Sequence, residues 1–470
     1  MKNSREDSIS LMPDDYPGLS LPQKIFTLIG FTGVLIGIIG MAASYSQPSI
    51  SLSLSLVCIS TGILGYGYYQ YNSKAAGIKN DLIWFRSLTN RRLWAWMVAL
   101  TLSGFYILLY FFPAVLGQNE TGNTGLVGLF DPLSIWIKNK PASQWFVYGV
   151  LYTLAILLFG LKFIGKYKGN RYQQIRTLSV MFFQLCFAFL IPELLERLNE
   201  PSLDLKHMWP LNYYFFFDWN LDKLLQGGTL GIFLLGWSIF LMLIVSPVLT
   251  YFFGKRWYCS WVCGCGGLAE TAGDAFRHLS EPSLKAWKME RWMVHSILVF
   301  VLVMTALVIY TYVTGKSHFL FINTYTLRES YGFFIGAIFS GVIGVGFYPL
   351  LGSRVWCRFG CPMAAILGIQ QRFFSRFRIT TNGGQCISCG NCTTYCEMGI
   401  DVRSYAQRGQ NIVRASCVGC GICAAVCPRG VLKLENGSVD LFERTSFAPK
   451  SPMLRPSHSH PFTTAQQPGD

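Results

Sequence analysis

Charge is what this chain has little of. Asp, Glu, Lys and Arg make up 13% of its 470 residues, about half the share usual in soluble domains. That leaves too little charge to cover an ordinary soluble surface. With 51% hydrophobic residues, the composition points to an integral membrane protein. Acidic residues are scarcest, 24 against 39 basic ones, for a net charge of +15. The excess does not signal a nucleic-acid partner, because the basic residues cluster beside apolar runs, as membrane topology requires. Histidine is also rare, with six in all. Only His295 lies within an apolar run, so a bis-histidine haem has no ligand pair. No C-x-x-C-H is present, which excludes a c-type haem.

Eight apolar segments are present, at 25–45, 50–71, 93–115, 145–165, 177–197, 230–253, 292–314 and 332–352. Each approaches the roughly 20 residues a helix needs to cross the hydrocarbon core. One set of connections carries Lys74, Lys79, Arg86, Arg91, Arg92, Lys162, Lys166, Lys168, Arg171, Arg176, Lys255, Arg256, Arg277, Lys285, Lys288 and Arg291. The alternate set carries Lys138, Lys140, Arg197, Lys206, Lys223, Lys316 and Arg328. This bias predicts a multi-pass protein of the inner (cytoplasmic) membrane, with both termini and the 254–291 loop in the cytoplasm. Met41-Ala42-Ala43-Ser44 resembles a cleavage site, but the acidic start and the long apolar run favour a retained helix.

Composition divides the chain into five parts. Residues 1–20 are polar and expected to be disordered. A membrane region of five helices covers 21–229. A second membrane region, 230–378, ends in a basic, Phe-rich stretch (363–378) that reads as an amphipathic helix on the inner surface. Residues 379–443 form a cysteine-rich module. The tail 444–470, with His458 and His460, is expected to be disordered and solvated. The aromatic connection 198–229 reads as an interfacial belt; the sharper alternative is a docking surface for a partner outside the membrane.

Fifteen cysteines are present, and eight fall in two runs. The first is Cys386-x2-Cys389-x2-Cys392-x3-Cys396. The second is Cys417-x2-Cys420-x2-Cys423-x3-Cys427, followed by Pro428. This is the spacing of bacterial two-cluster ferredoxins, in which the fourth cysteine of each run serves the other cluster. It assigns Cys386, Cys389, Cys392 and Cys427 to one [4Fe–4S] cluster. Cys417, Cys420, Cys423 and Cys396 fall to a second. Structural zinc usually takes separated cysteine pairs, and a cytoplasmic module disfavours disulfides. Glu397 stands where the second run has proline. The expected fold is therefore a polytopic α-helical membrane protein of about eight transmembrane helices with a C-terminal α+β two-cluster ferredoxin-like domain.

A second pattern lies in the membrane region. The stretches G-K-R-W-Y-C-S-W-V-C-G at 254–264 and G-S-R-V-W-C-R-F-G-C-P at 352–362 align without a gap. Each follows an apolar segment with a nearby proline, Pro247 or Pro349. Cys259 and Cys263 thus have counterparts in Cys357 and Cys361, whereas Cys265 has none and is optional. Buried packing thiols, thiol–disulfide redox or soft-metal binding, and one metal or cluster shared by the two copies all remain open. Arg256 and Arg354 would favour thiolate in each case. Cys58 and Cys186 read as packing residues.

Over about 230–440 these features resemble the NapH and NosR polyferredoxin group and the FixG/RdxA/CcoG-type oxidase accessory proteins. The matching residues are Cys259, Cys263, Cys357, Cys361, Pro362 and the eight ferredoxin cysteines. Gly264 departs from the proline usual in the first motif. The resemblance implies electron transfer between a quinone, iron–sulfur centres and a periplasmic or membrane redox partner. A core of about 30 Å is too thick for one efficient hop, and haem lacks ligands, so a quinone is the implied membrane carrier. Glu193 and Glu196 are candidates to accept quinol protons. The alternative function is an accessory factor for a respiratory metalloenzyme that reduces or delivers copper.

Overall fold

A computed structural model describes residues 19–42, 48–72 and 93–437. The expected disorder of 1–18 and 444–470, the basic residues at 74–92, and His458 and His460 lie outside the described residues. Among the described residues, seven helices are long and apolar enough to cross a membrane: Leu21–Ala42, Pro48–Tyr71, Leu93–Phe111, Gln144–Lys166, Arg171–Arg197, Gly228–Phe253 and Leu284–Thr314. The protein is a polytopic helical membrane protein. The eighth expected segment, 332–352, does not form one long helix. A helix begins at Thr324 and runs on to Ile343, the chain turns, and a short helix covers Tyr348–Leu351. Gly344 and Gly346 stand in that turn, and just before it Gly341 packs on Tyr106 and Tyr110 and Ser103 Oγ donates to Val342 O at 3.0 Å.

Local chemistry sets the helix ends. Ser143, Asn170, Ser283 and Asn323 each accept a backbone N–H at the start of their helix, as N-caps do. Gly315, at φ +70°, closes Leu284–Thr314. Two spans widen into π-helix at Phe183–Leu190 and Leu241–Val245, just before Pro192 and Pro247. Proline has no N–H and its ring collides with the carbonyl four residues back. The wider turn relieves that collision.

The first two helices cross where both are slim. A Cβ on Gly62 would lie 2.6 Å from Gly30 Cα, and Ser55 Oγ donates to Gly33 O at 2.8 Å, a small-residue contact suited to membrane helices. The segment 363–378 differs from expectation. Its helix, Pro362–Phe373, buries Met363, Ala364, Leu367 and Gln371 among other helices instead of lying on a surface. Phe377 and Arg378 belong to a strand, Phe377–Thr381, paired antiparallel with Leu432–Asn436. That two-stranded sheet and several short helices make the small α+β unit that carries the eight-cysteine pattern.

The connection after Arg197 also departs from expectation. It is not a belt at the interface: its backbone turns back into the bundle. Trp237 Nε1 donates to Leu205 O at 2.9 Å, and Trp209 Nε1 donates to Thr305 Oγ1 at 3.0 Å. At 1.5 Å per residue, Trp237 and Thr305 each lie about 14 Å from the far ends of their helices. Non-helical backbone at that depth is tolerated because protein surrounds it.

The α+β unit is fastened to one end of the helical bundle. Tyr172 Oη donates to Gly419 O at 2.9 Å, Gln173 Nε2 to Cys420 O at 2.8 Å, Ser260 Oγ to Val418 O at 2.8 Å and Gln371 Nε2 to Cys417 O at 2.8 Å. Beneath these bonds lies a buried ionic lattice. Glu397, fully buried, meets Arg354 at 3.0 Å and Arg277 at 3.4 Å. Arg354 also meets Glu270 at 2.8 Å, and Glu270 pairs with Arg176. Arg277 and Lys166 share Asp274, at 3.2 and 2.5 Å. Arg176 and Arg277, counted above as topology signals, are thus buried inside this lattice.

Burial by itself would raise Glu397, but Arg354, Arg277 and Arg176 outweigh it and hold the carboxyl below its ordinary range. Its contribution is therefore present above that range and lost only as the pH falls below it. Glu397→Ala leaves two buried guanidinium groups without their anion, so we expect a loss of about 3–5 kcal/mol. The exposed Glu120→Ala variant should melt like wild type. Thermal melts of the detergent-purified protein check both.

Candidate functional site

Each of the two cysteine runs contributes to both of two cavities. Cys386, Cys389, Cys392 and Cys427 line one. Cys396, Cys417, Cys420 and Cys423 line the other. The crossing of the fourth cysteine follows from the internal symmetry of the unit. Gly390 and Gly421, at φ +80° and +76°, start the short helices Asn391–Thr394 and Ile422–Ala425. Each helix then hands its last cysteine across to the opposite cavity. Ile400 N donates to Cys396 Sγ at 3.4 Å and Val431 N to Cys427 Sγ at 3.3 Å. Such bonds to ligand sulfurs tune an iron–sulfur centre.

Burial pushes the thiols of Cys392 and Cys420 up to about 12 and that of Cys396 up to about 11. A bound metal centre would have to drive off these protons. Four thiols lining one cavity are the ligand set of an iron–sulfur cluster. The two cavities differ in setting. The first opens beside exposed Ile387, Arg403 and Arg429, whereas the second sits on the bundle, with Cys417 and Cys423 buried.

The repeated motif folds the same way twice. Gly254 and Gly352, at φ +69° and +97°, end the preceding helix in a conformation that favours glycine. A short helical turn brings in the first cysteine, Cys259 or Cys357. The second, Cys263 or Cys361, stands in extended conformation just ahead of the next helix. Pro362 follows Cys361 as the first residue of its helix, where a missing N–H costs nothing. Gly264 replaces it in the first copy because a Cβ there would lie 2.5 Å from Gln184 Oε1.

All four cysteines are buried in one core with Met208 and Trp356. Among the described residues, the only trio of potential ligand side chains with ligand atoms within 4.8 Å of one another is Glu270, Glu397 and Cys420. Its carboxylates are already engaged by arginines. No trio of the four motif sulfurs, or of the eight in the ferredoxin-type unit, comes within that distance.

The cations beside the motif are not quite those the spacing suggested. Arg354 Nη1 lies 3.6 Å from Cys357 Sγ and 3.1 Å from Cys259 O. Arg256 instead stacks over Phe377, 4.5 Å from the ring centroid, and donates to Asn436 Oδ1 at 3.1 Å. The buried cation of the first copy is Lys255, 1% exposed. Burial dominates at Cys259, which rises to about 12 despite Lys255. Cys263 goes the other way, to about 6. The Cys265 thiol donates to it and outweighs burial, and the Lys206 ammonium adds to the effect.

Glu193 and Glu196 lie outside this centre. Both pair with Lys138, at 3.2 and 3.3 Å. Glu270, Lys206 and Asn212 were not visible as site residues. The one available signal for Glu270 was an acid placed close after the motif in a chain short of acids.

Comparisons with known proteins agree with this geometry. A model described as a 4Fe-4S dicluster domain matches residues 385–432. A second, described as a 4Fe-4S binding domain, matches 235–281 and 332–380, which are the two copies of the repeat. The chain therefore carries ferredoxin-type iron–sulfur binding domains. It is similar to the "Putative electron transport protein YccM" of Escherichia coli K12, at 26% identity over 175 residues, covering 36% of this chain and 48% of that protein. It is also similar to an uncharacterized protein of Methanocaldococcus jannaschii, at 29% over 166 residues, covering 34% and 58%. The chain thus spans about half the length of the curated relatives it matches. No solved structure matches it.

In metal-free protein, Cys265→Ala removes the thiol that stabilises the Cys263 thiolate. The titration of Cys263, followed by thiolate ultraviolet absorbance, should rise from about 6 toward the usual cysteine range. An unchanged titration would show that Cys265 has no such role.

Proposed function

We propose that the protein is a membrane electron-transfer protein with an iron–sulfur relay running from the ferredoxin-type unit into the helical bundle. One observation carries this reading. Arg354 touches Cys357 Sγ and also pairs with Glu397, the neighbour of Cys396. A single buried guanidinium thus spans from the C-x3-C centre to the second cysteine cavity. Cys386, Cys389, Cys392 and Cys427 are the ligands of an outer [4Fe–4S] cluster, and Cys396, Cys417, Cys420 and Cys423 those of an inner one. The four C-x3-C cysteines hold a third iron–sulfur centre. The match of an iron–sulfur domain model to both copies of the repeat supports this. Bound clusters supply one-electron carriers. The chain's own residues fix their order, exclude water from the inner two and place a net excess of buried cations beside the thiolates.

The outer cluster exchanges electrons with a partner on the side of the ferredoxin-type unit. The C-x3-C centre exchanges them with a membrane quinone or a partner on the far side. The basic residues at the ferredoxin-type end, among them Lys255, Arg256, Lys285, Lys288 and Arg291, support an inner-membrane protein with that end in the cytoplasm. The paired motifs and their order along the chain support kinship with the NapH and NosR group. They also support a division at 229/230, whereas the strand Phe377–Thr381 moves the expected boundary at 378/379 to 376/377.

Iron and acid-labile sulfide counts on the purified full-length protein, with EPR of the reduced form, test the relay. About twelve irons are expected, four per [4Fe–4S] centre. Cys396→Ser should lose the inner cluster signal, and Cys361→Ser about four irons with both ferredoxin signals kept. A count of about eight irons, unchanged in Cys361→Ser, would overturn the third centre. Absence of any cluster signal would overturn the relay.

A further inference from the structure

The re-entrant segment after Arg197 carries polar groups to a depth where the bilayer offers no water, and polar groups in such places mark function more often than packing. Lys206 O accepts from Tyr258 Oη at 2.9 Å, one residue from Cys259. Lys206 Nζ pairs with Asp204 at 3.2 Å, and the two side chains keep 10% and 23% exposure. Met208 belongs to the same buried core as Cys259, Cys263, Cys357 and Cys361. Asn212 is fully buried, yet neither its Oδ1 nor its Nδ2 has a hydrogen-bond partner. An orphaned carboxamide in a protein interior is costly; a bound group that accepts a hydrogen bond would satisfy it.

The chemistry of the segment limits what that group can be. Asp204 neutralises Lys206, so the pair does not select an anion. Asn212 is neutral. Trp209, Tyr213 and Tyr214 make the segment aromatic, packed against Phe216, Tyr331 and Trp219. A neutral ring bearing carbonyl acceptors and arriving through lipid fits these features. Resting on the electron-transfer reading above, we propose that the segment Asp204–Asn212 is the headgroup site of a membrane quinone. Lys206 Nζ and Asn212 Nδ2 donate to its carbonyl oxygens. Interconversion of quinone and quinol moves two electrons and two protons. The electrons pass singly to or from the adjacent iron–sulfur centre, and the Asp204 carboxylate and His207 ring exchange the protons.

Photolabelling tests the site. The full-length protein in lipid nanodiscs is irradiated with a short-chain azido-benzoquinone, and labelled peptides are mapped by mass spectrometry with an unlabelled short-chain quinone as competitor. Saturable label is expected within 203–217. Lys206→Met and Asn212→Leu should each weaken competition about tenfold, the scale of one lost charge-assisted or buried hydrogen bond. Asn212→Gln, which keeps a donor, should retain labelling. Asn212→Leu should melt no lower than wild type, because it removes an unpartnered polar group from the interior. Saturable label at 190–197, label at 203–217 indifferent to both variants, or no saturable label would each overturn the site. Dithionite-reduced EPR spectra on the same samples separate the two readings. Intact cluster signals without quinone labelling sink the quinone site alone, and missing cluster signals sink the relay.

Discussion

The buried charges around Glu397 hold the rest of the structure in relation. A ferredoxin-type unit and a helical bundle have little reason to stay in register, since one packs around polar loops and the other around lipid-facing helices. Arg354, Glu397, Glu270, Arg176 and Arg277 supply the reason. These charges are out of water on both sides, so losing one leaves its partners stranded. The lattice also has a direction. Through Arg354 it reaches the sulfur of Cys357, and through Glu397 it reaches the backbone that carries Cys396. The contact that docks the unit therefore also aligns two thiol centres.

A repeated backbone frame makes the second centre. Positive-φ glycines at 254 and 352 stop two helices at the same level, and the following turns present two thiols apiece. The copies then diverge where their surroundings differ. Gln184 occupies the space a proline ring would need at 264. Arg256 turns outward to the strand at Asn436, while its counterpart Arg354 turns inward. Equivalent positions in a repeat thus took opposite roles, because only one of them faces Glu397 and Glu270.

Much of the fold and of the centre was legible in the chain. Seven spans followed from apolar length, since crossing a bilayer is a demand on composition alone. The two cysteine cavities followed from spacing, because short spacers leave a cluster few ways to be held. The gap-free repeat placed Cys259, Cys263, Cys357 and Cys361 together. The failures have a common cause. The segment 363–378 looked amphipathic, and 198–229 looked interfacial, because both mix aromatic with polar residues. Composition cannot tell a surface from an interior lined by protein.

The sequence by itself determined which residues are apolar enough to span, which thiols share a cavity and which motif is doubled, since each depends on spacing along the chain. Tertiary structure decided the rest. It turned Glu397 from a missing proline into the anion between two arginines. It sent Lys206 and Asn212 inward, and it paired Glu193 and Glu196 with Lys138. Those outcomes depend on which groups meet from distant parts of the chain, and no local pattern encodes the meeting.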